Sequence, residues 1–294
     1  MFAVVADGLE AGRVRCFLRY VARDGRWRKL GTEEANRFLA ENYPEFLYFS
    51  PALAAYLHAT PVEAIVRHHL PQPRLLQLLD EEPEDAVVAD LQLLCRLLLE
   101  DGADLRYLGV TGSILLGLQR RDSDIDLVCY ERAAFQQLRS RVQALIARNK
   151  FQALQDADWL EAFQRRACDL SLDEYIWHEQ RKFNKAMVNQ RKFDLSLVTP
   201  PRDQTGRTYT KLGKIVLEAE VLDDGYAFDY PAAYRLQHAE IEEAVSFTAT
   251  YIGQAQTGER VKVSGLLEQD QFGVQRIVVG SDREALGEYI RVLR

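Results

Sequence analysis

The chain is poor in the residues that build metal clusters and disulfide frameworks: its 294 residues include four cysteines, five histidines, two methionines and three tryptophans. Cys16, Cys95, Cys129 and Cys168 show no C-x-x-C spacing, which argues against a thiolate zinc site and for reduced, buried thiols in a cytoplasmic protein. The histidines are dispersed, and the adjacent His68 and His69 point to opposite sides of any regular element, so a zinc site is not indicated. No uninterrupted apolar run approaches the roughly 20 residues of a membrane span. The first residues also lack a basic start followed by an apolar core, so neither secretion nor a membrane partner is expected. Repeats and low-complexity tracts are missing too. A formal net charge of −7 argues against indiscriminate nucleic-acid binding by overall charge, and leaves room for a local basic surface.

What is present is concentrated in residues 109–129, which read Gly-Val-Thr-Gly-Ser-Ile-Leu-Leu-Gly-Leu-Gln-Arg-Arg-Asp-Ser-Asp-Ile-Asp-Leu-Val-Cys. Gly112 and Ser113 precede Asp124-Ile125-Asp126 in a strand-like run. Side chains on a strand change face at every residue, so Asp124 and Asp126 point one way, about 7 Å apart at Cα, and Ile125 and Leu127 the other. Two carboxylates side by side repel unless a cation lies between them, and hard divalent cations such as Mg²⁺ share carboxylate oxygens with substrate phosphates. A third acid is offered by Arg-Lys-Phe-Asp-Leu-Ser-Leu-Val at 191–198, where Phe193, Leu195 and Leu197 alternate with Asp194 and Ser196. If this strand pairs beside the first, Asp194 joins Asp124 and Asp126. Leu105–Val110 reads as a strand entering the Gly112-Ser113 turn, and 113–118 as the first turns of a helix. Free N–H groups at such a turn suit an anion.

The ordered set Gly112-Ser113, Asp124-x-Asp126 and a later strand acid at Asp194 resembles the DNA polymerase β-like nucleotidyltransferase superfamily. The motif-bearing stretch covers about residues 100–200. The layout of Gly-Val-Thr-Gly-Ser, Ser-Asp-Ile-Asp-Leu-Val and a basic stretch before Lys-Phe-Asp is similar to nucleotidyltransferases of unassigned substrate. The resemblance implies two Mg²⁺ ions held by Asp124, Asp126 and Asp194, with Asp194 also on the side of the attacking hydroxyl. It further implies that Ser113 and the Gly112 backbone hold β/γ-phosphate oxygens. Basic residues near the motif supply further nucleotide-binding candidates. Arg191 and Lys192 lead into the Asp194 strand, and Arg120 and Arg121 precede the Asp pair; each reads either as a phosphate ligand or as a solvated surface charge. Lys182 and Lys185 read as part of a solvated helix face.

Around this core, residues 13–30 alternate about Asp24-Gly25, a hairpin signal, with Val14, Cys16, Leu18 and Tyr20 sharing a face. A helix follows from Thr32, whose hydroxyl would cap it. Prolines at 44, 51, 61, 71 and 73 predict short helices and turns over 44–74. Helices are predicted over about 86–99, 131–149, 156–167 and 172–188, and Tyr175, Trp177 and Phe183 in the last either stack on a base or pack on the sheet. Turn-rich residues 199–206 read as a linker. Strands are predicted at about 213–222, 226–236, 244–252, 259–268 and 274–280, suited to a small β-barrel of oligonucleotide-binding (OB) type, with Gly265 permitting a bend.

The expected fold is therefore α+β, in three domains. Residues 1–85 form a hairpin with short helices, 86–200 a nucleotidyltransferase core of mixed sheet and flanking helices, and 201–294 a small OB-like β-barrel. The expected function is Mg²⁺-dependent transfer of a nucleoside monophosphate from a nucleoside triphosphate, ATP among them, to a hydroxyl acceptor. RNA or another nucleic acid is the favoured acceptor, ahead of a protein or a small molecule. The alternative is an inactive nucleic-acid- or protein-binding module on the same scaffold. A barrel that binds no nucleic acid would instead pack or form a homodimer.

Overall fold

Turn chemistry shapes the N-terminal unit. Asp24 and Gly25 both take positive φ (51° and 71°), the conformation a two-residue hairpin loop requires, and join two short strands. The structure is a computed structural model and describes the chain apart from residues 52, 54, 167, 201–205 and 282–285 and the side chains of residues 5–7. It is a mixed α/β protein with several sheets and, among the described residues, seven α-helices.

The N-terminal unit contains β1 (Phe2–Glu10), β2 (Arg13–Leu18), β3 (Tyr20–Arg23), β4 (Arg26–Lys29), α1 (Thr32–Asn42), β5 (Leu47–Ser50) and β6 (Ala55–Pro61). The order β1-β2-β6-β5 makes one sheet, and β3-β4 is a separate ribbon. Arg19 breaks the run, so Tyr20 belongs to the ribbon and does not continue the Val14, Cys16, Leu18 face. Gly31, with no side-chain cap, occupies the N-cap of α1 in place of the expected Thr32. Where 44–74 predicts only short helices and turns, β5 and β6 pair instead. The prolines fall at or beyond strand ends, where the missing N–H breaks no ladder: Pro51 follows β5 and Pro61 closes β6.

The central unit contains α2 (Pro71–Asp80), α3 (Ala86–Glu100), β7 (Leu108–Val110), α4 (Gly112–Leu115), β8 (Ile125–Cys129), α5 (Arg132–Ala147), α6 (Asp156–Arg166), α7 (Leu172–Gln180), β9 (Lys185–Val188) and β10 (Arg191–Leu197). The Asp85 carboxylate caps α3, accepting from the Val87 and Val88 N–H groups at 2.8 Å each. The sheet runs β7-β8-β10-β9, with β8 and β10 parallel and the outer pairings antiparallel. A parallel pair needs a crossover, and α5 to α7 supply it. The helix predicted over 172–188 is corrected by the structure. It stops at Gln180, and Lys185–Val188 is a strand that hairpins into β10 through Asn189 and Gln190 at φ 48° and 65°. Ala186 and Val188, both buried, carry the strand's apolar face.

The C-terminal unit contains β11 (Tyr209–Tyr226), β12 (Ala232–Leu236), β13 (Ile241–Ser246), β14 (Arg260–Asp270), β15 (Gln275–Val279) and β16 (Tyr289–Val292). Its pairings run β11-β12-β13-β15-β14-β16, and β11 also pairs with β14 along Tyr209–Glu220. β13 and β15 are parallel. Gly265 does more than permit a bend: a Cβ there would lie 2.3 Å from the Val278 carbonyl oxygen, so only glycine lets β15 approach. The predicted linker falls mostly at 201–205, outside the described residues.

One apolar cluster runs from Leu75 in α2 to Val292 in β16, so α2 packs with the central unit although it precedes residue 86. A second, small cluster of Leu18, Leu30, Ala35 and Leu39 serves the N-terminal unit. The four cysteines are free. Among the described residues no helix is long and apolar enough to cross a membrane.

Candidate active site

Parallel pairing of β8 with β10 aligns Asp126 with Asp194, Ile125 with Phe193 and Leu127 with Leu195. Aligned residues on adjacent strands share a face, about 4.8 Å apart, so both carboxylates stand on one side of the sheet while the apolar partners enter the core. Asp124, one residue before β8, lies on the same side and is exposed. Asp126 is half-buried, and among the described residues its carboxylate receives no hydrogen bond or ion pair. Burial raises its pKa to about 6, and the like charges of Asp194 and Asp124 add to the rise, while Lys29 and Arg19 oppose it.

Gly112 is held directly against this carboxylate. Its φ is +65°, and a Cβ would stand 2.1 Å from Asp126 Oδ2, so the site has no room for any other residue there. The helix expected over 113–118 is a single turn, Gly112–Leu115, followed by Gly117 at φ 64°. The Ser113 hydroxyl donates to Ser123 Oγ at 3.3 Å, and Ser123 Oγ in turn accepts from the Arg120 N–H at 2.9 Å, which ties the Gly-Ser turn to the loop before Asp124.

Asp194 is already engaged. Its Oδ1 accepts from Asn184 Nδ2 at 3.2 Å, and Lys185, its cross-strand partner, places Nζ 4.0 Å from Oδ2. Burial lifts its pKa while Lys185 holds it down. Lys185 is itself gripped by Glu179, a fully buried carboxylate that also binds Lys182. Burial opposes the charge on Lys185, and Glu179 and Asp194 overcome that cost and raise its pKa. Lys182, predicted on a solvated face, is 2% exposed and donates to the Thr250 carbonyl of the C-terminal unit at 3.0 Å. The chain folds it inward because α7 ends before it. Among the described residues, no three Asp, Glu, His or Cys side chains are gathered about one point as a finished metal cage.

The four predicted nucleotide-binding cations are placed differently from one another. Arg191 is a strut: its Nε pairs with Asp90 Oδ2 at 2.7 Å, and its Nη1 donates to the carbonyls of Arg121 at 2.9 Å and Ser123 at 2.7 Å. Lys192 pairs with Asp158 at 2.8 Å and Glu161 at 3.1 Å on α6. Arg120 and Arg121 extend from the exposed loop. Of the candidate stacking aromatics, Tyr175 is buried against Phe163, and Trp177 is covered by the guanidinium groups of Arg181 and Arg294.

Uncharacterized protein MJ1086 of Methanocaldococcus jannaschii is 36% identical to this chain over a 275-residue alignment that covers 88% of this chain and 81% of the relative. The chain belongs to the family of that archaeal protein. No family model matches the chain, and no solved structure matches it.

Cations that sequence reading had not brought to the site face the acids. Arg165 of α6 acts on Asp124, Arg166 acts on Asp194, and Arg19 and Lys29 of the N-terminal unit act on Asp126. Tyr20 lies within electrostatic reach of the same carboxylate. The available signal was the run 13–29, in which seven arginines and lysines accompany a single acid.

Proposed function

We propose that the central unit is a polymerase β-like nucleotidyltransferase core and that the chain transfers a nucleoside monophosphate from a nucleoside triphosphate to a hydroxyl on a nucleic-acid acceptor. The observation that carries this reading is the alignment of Asp194 with an unpartnered, half-buried Asp126, against which Gly112 is fitted. An all-carboxylate donor set suits hard divalent cations, and Asp126 gains most from one because it stands beside two like charges. Asp124, Asp126 and Asp194 would hold Mg²⁺, two ions by family resemblance, once Asp194 turns from Asn184 and Lys185. Bound there, the metal would lower the acceptor hydroxyl's pKa and stabilise charge on the attacking and leaving oxygens.

The chain's own part is to hold and orient. Gly112 and Ser113 would present the triphosphate, with Ser123 fixing the serine hydroxyl. Arg191 keeps the loop bearing Arg120 and Arg121 beside it. Asp194 sits on the side of the acceptor hydroxyl. The hydroxyl oxygen bonds to the α-phosphorus, the bond from that phosphorus to the α,β-bridging oxygen breaks, and pyrophosphate leaves. The hydroxyl proton passes to the acid face and then to water.

We read the C-terminal unit as an OB-like barrel, because the order β11-β12-β13-β15-β14, the return pairing of β14 with β11 and the parallel β13–β15 pair match that plan. It is an acidic unit, with fourteen Asp and Glu against ten Lys and Arg over 207–294.

The test is thermal stability in each of the four nucleoside triphosphates with and without Mg²⁺, followed by incorporation of labelled nucleotide into RNA. Stabilisation needing both Mg²⁺ and nucleotide, and abolished in the double variant Asp124→Asn/Asp126→Asn, supports transfer. Equal RNA binding by wild type and that variant, with no turnover on any acceptor, would make the protein an inactive binding module.

A further inference from the structure

We infer that the β3–β4 ribbon is an arm that carries a single-stranded polynucleotide to the acid face; this deepens the proposed function and rests on it for the arm's purpose. Residues 13–29 contain Arg13, Arg15, Arg19, Arg23, Arg26, Arg28 and Lys29 against Asp24 alone, in a chain of net charge −7. Positive charge is therefore in strong local excess over this stretch. Every residue of β4, Arg26-Trp27-Arg28-Lys29, is exposed. Arg28 is spent on Glu34 of α1. Arg19, Arg23, Arg26 and Lys29 make no side-chain hydrogen bond or ion pair with any described residue, so their charge is available to a ligand.

The register sorts the ribbon into two faces. Tyr20 pairs with Lys29 and Ala22 with Trp27, which puts Tyr20, Trp27 and Lys29 on one face; Val21, Arg23, Arg26 and Arg28 share the other. Val21 packs toward the N-terminal core and Arg28 binds α1, so the second face is the one that attaches the ribbon at its root. Tyr20 and Lys29, on the first face, act on Asp126. The free face thus overlooks the acids with two aromatic rings and an ammonium, and Arg23 and Arg26 lie at the tip of the ribbon, on its other face, beside the Asp24-Gly25 turn. Trp27 is 43% exposed and belongs to neither apolar cluster.

From Lys29 to Arg26 the strand rises about 10 Å. A triphosphate seated on the acids would not reach the tip arginines, whereas a single strand, with one charge on every nucleotide along its length, would meet them in passing. Cations along the backbone with aromatic rings for the bases are what sequence-tolerant binding of a single strand uses. The barrel is a poorer candidate for this task, because acids outnumber bases in it, fourteen Asp and Glu against ten Lys and Arg over 207–294, and Glu240 and Glu242 are exposed at the start of β13.

The experiment is fluorescence anisotropy of labelled single-stranded RNA and DNA oligonucleotides with the full chain, without nucleotide or divalent cation, across a salt series. This readout does not depend on catalysis, so it separates failure of the arm from failure of the transfer reading. Trp27→Ala is expected to weaken binding ~5-fold or more. Arg23→Ala/Arg26→Ala is expected to weaken it and to lower the log–log salt slope by about 1.4, two phosphate contacts at ~0.7 each. The charge reversal Arg23→Glu/Arg26→Glu should abolish it. A difference between RNA and DNA identifies which polymer the arm prefers, and tight arm-dependent binding of either supports the proposal. Binding that none of these exposed-site variants alters overturns it. So does equal binding of polyglutamate, which would mark the arm as a site for acidic protein, and so does an effect confined to Mg²⁺–triphosphate binding.

Discussion

Replacing Asp126 by Asn should make the metal-free protein more stable. Burial, with Asp194 and Asp124 adding like charge, raises this carboxyl from 3.8 to about 6 in the folded chain. Each pH unit between the folded and unfolded values is worth about 1.4 kcal/mol, so ionised Asp126 costs the fold about 3 kcal/mol at neutral pH. The folded state binds this proton more tightly than the unfolded state, so its contribution to stability falls as pH rises from about 4 to about 6 and stays low above that. Urea unfolding at about pH 8 without divalent cations should therefore show Asp126→Asn more stable than wild type by up to about 3 kcal/mol. The gap should narrow as pH is lowered through about 6 and close near pH 4. Mg²⁺ should stabilise wild type and reverse the order, since the amide is a much weaker ligand. A variant no more stable than wild type at about pH 8, or a gap that ignores pH, would refute the claim that the acid face is strained by uncompensated charge.

Three further outcomes follow from the geometry. Gly112→Ala places a methyl on Asp126 Oδ2 at a positive φ, so it should abolish nucleotide- and Mg²⁺-dependent stabilisation and cost about 1–3 kcal/mol in urea unfolding. Arg191→Ala removes one partner of the largely buried Asp90 pair and releases the loop carbonyls, a loss of about 3–5 kcal/mol by the same assay. Glu179→Ala strands Lys182 and Lys185 in the interior and should destabilise by a similar amount, whereas a Glu179→Ala/Lys182→Met double variant should recover part of it, as calorimetry would show.

Much of the central unit was legible because strand alternation is a strong local signal. Phe193, Leu195 and Leu197 on one side left Asp194 on the other, and the register with β8 then aligned it with Asp126. The inward turn of Lys182 was not legible, because it depends on where α7 stops and on Glu179, a partner whose burial is set by tertiary packing. Arg191 looked like a phosphate ligand since nothing local to it announces Asp90, about a hundred residues earlier. β5 and β6 were hidden by prolines that turned out to mark strand limits. The cations of residues 13–29 were visible as charge, but their position over the acids is a property of how the N-terminal unit docks.

The apolar cluster that continues from Leu75 to Val292 makes the second and third units a single cooperative body. Arg132 joins Asp229 at 2.5 Å, Phe135 meets Phe228, and His178 Nδ1 bonds the Gln254 carbonyl at 3.1 Å, all across that seam. Expressed without residues 207–294, the acid-bearing half would leave these groups open to water and would aggregate rather than stand alone. Supplied as two separate chains, the halves should find each other and knit together unaided.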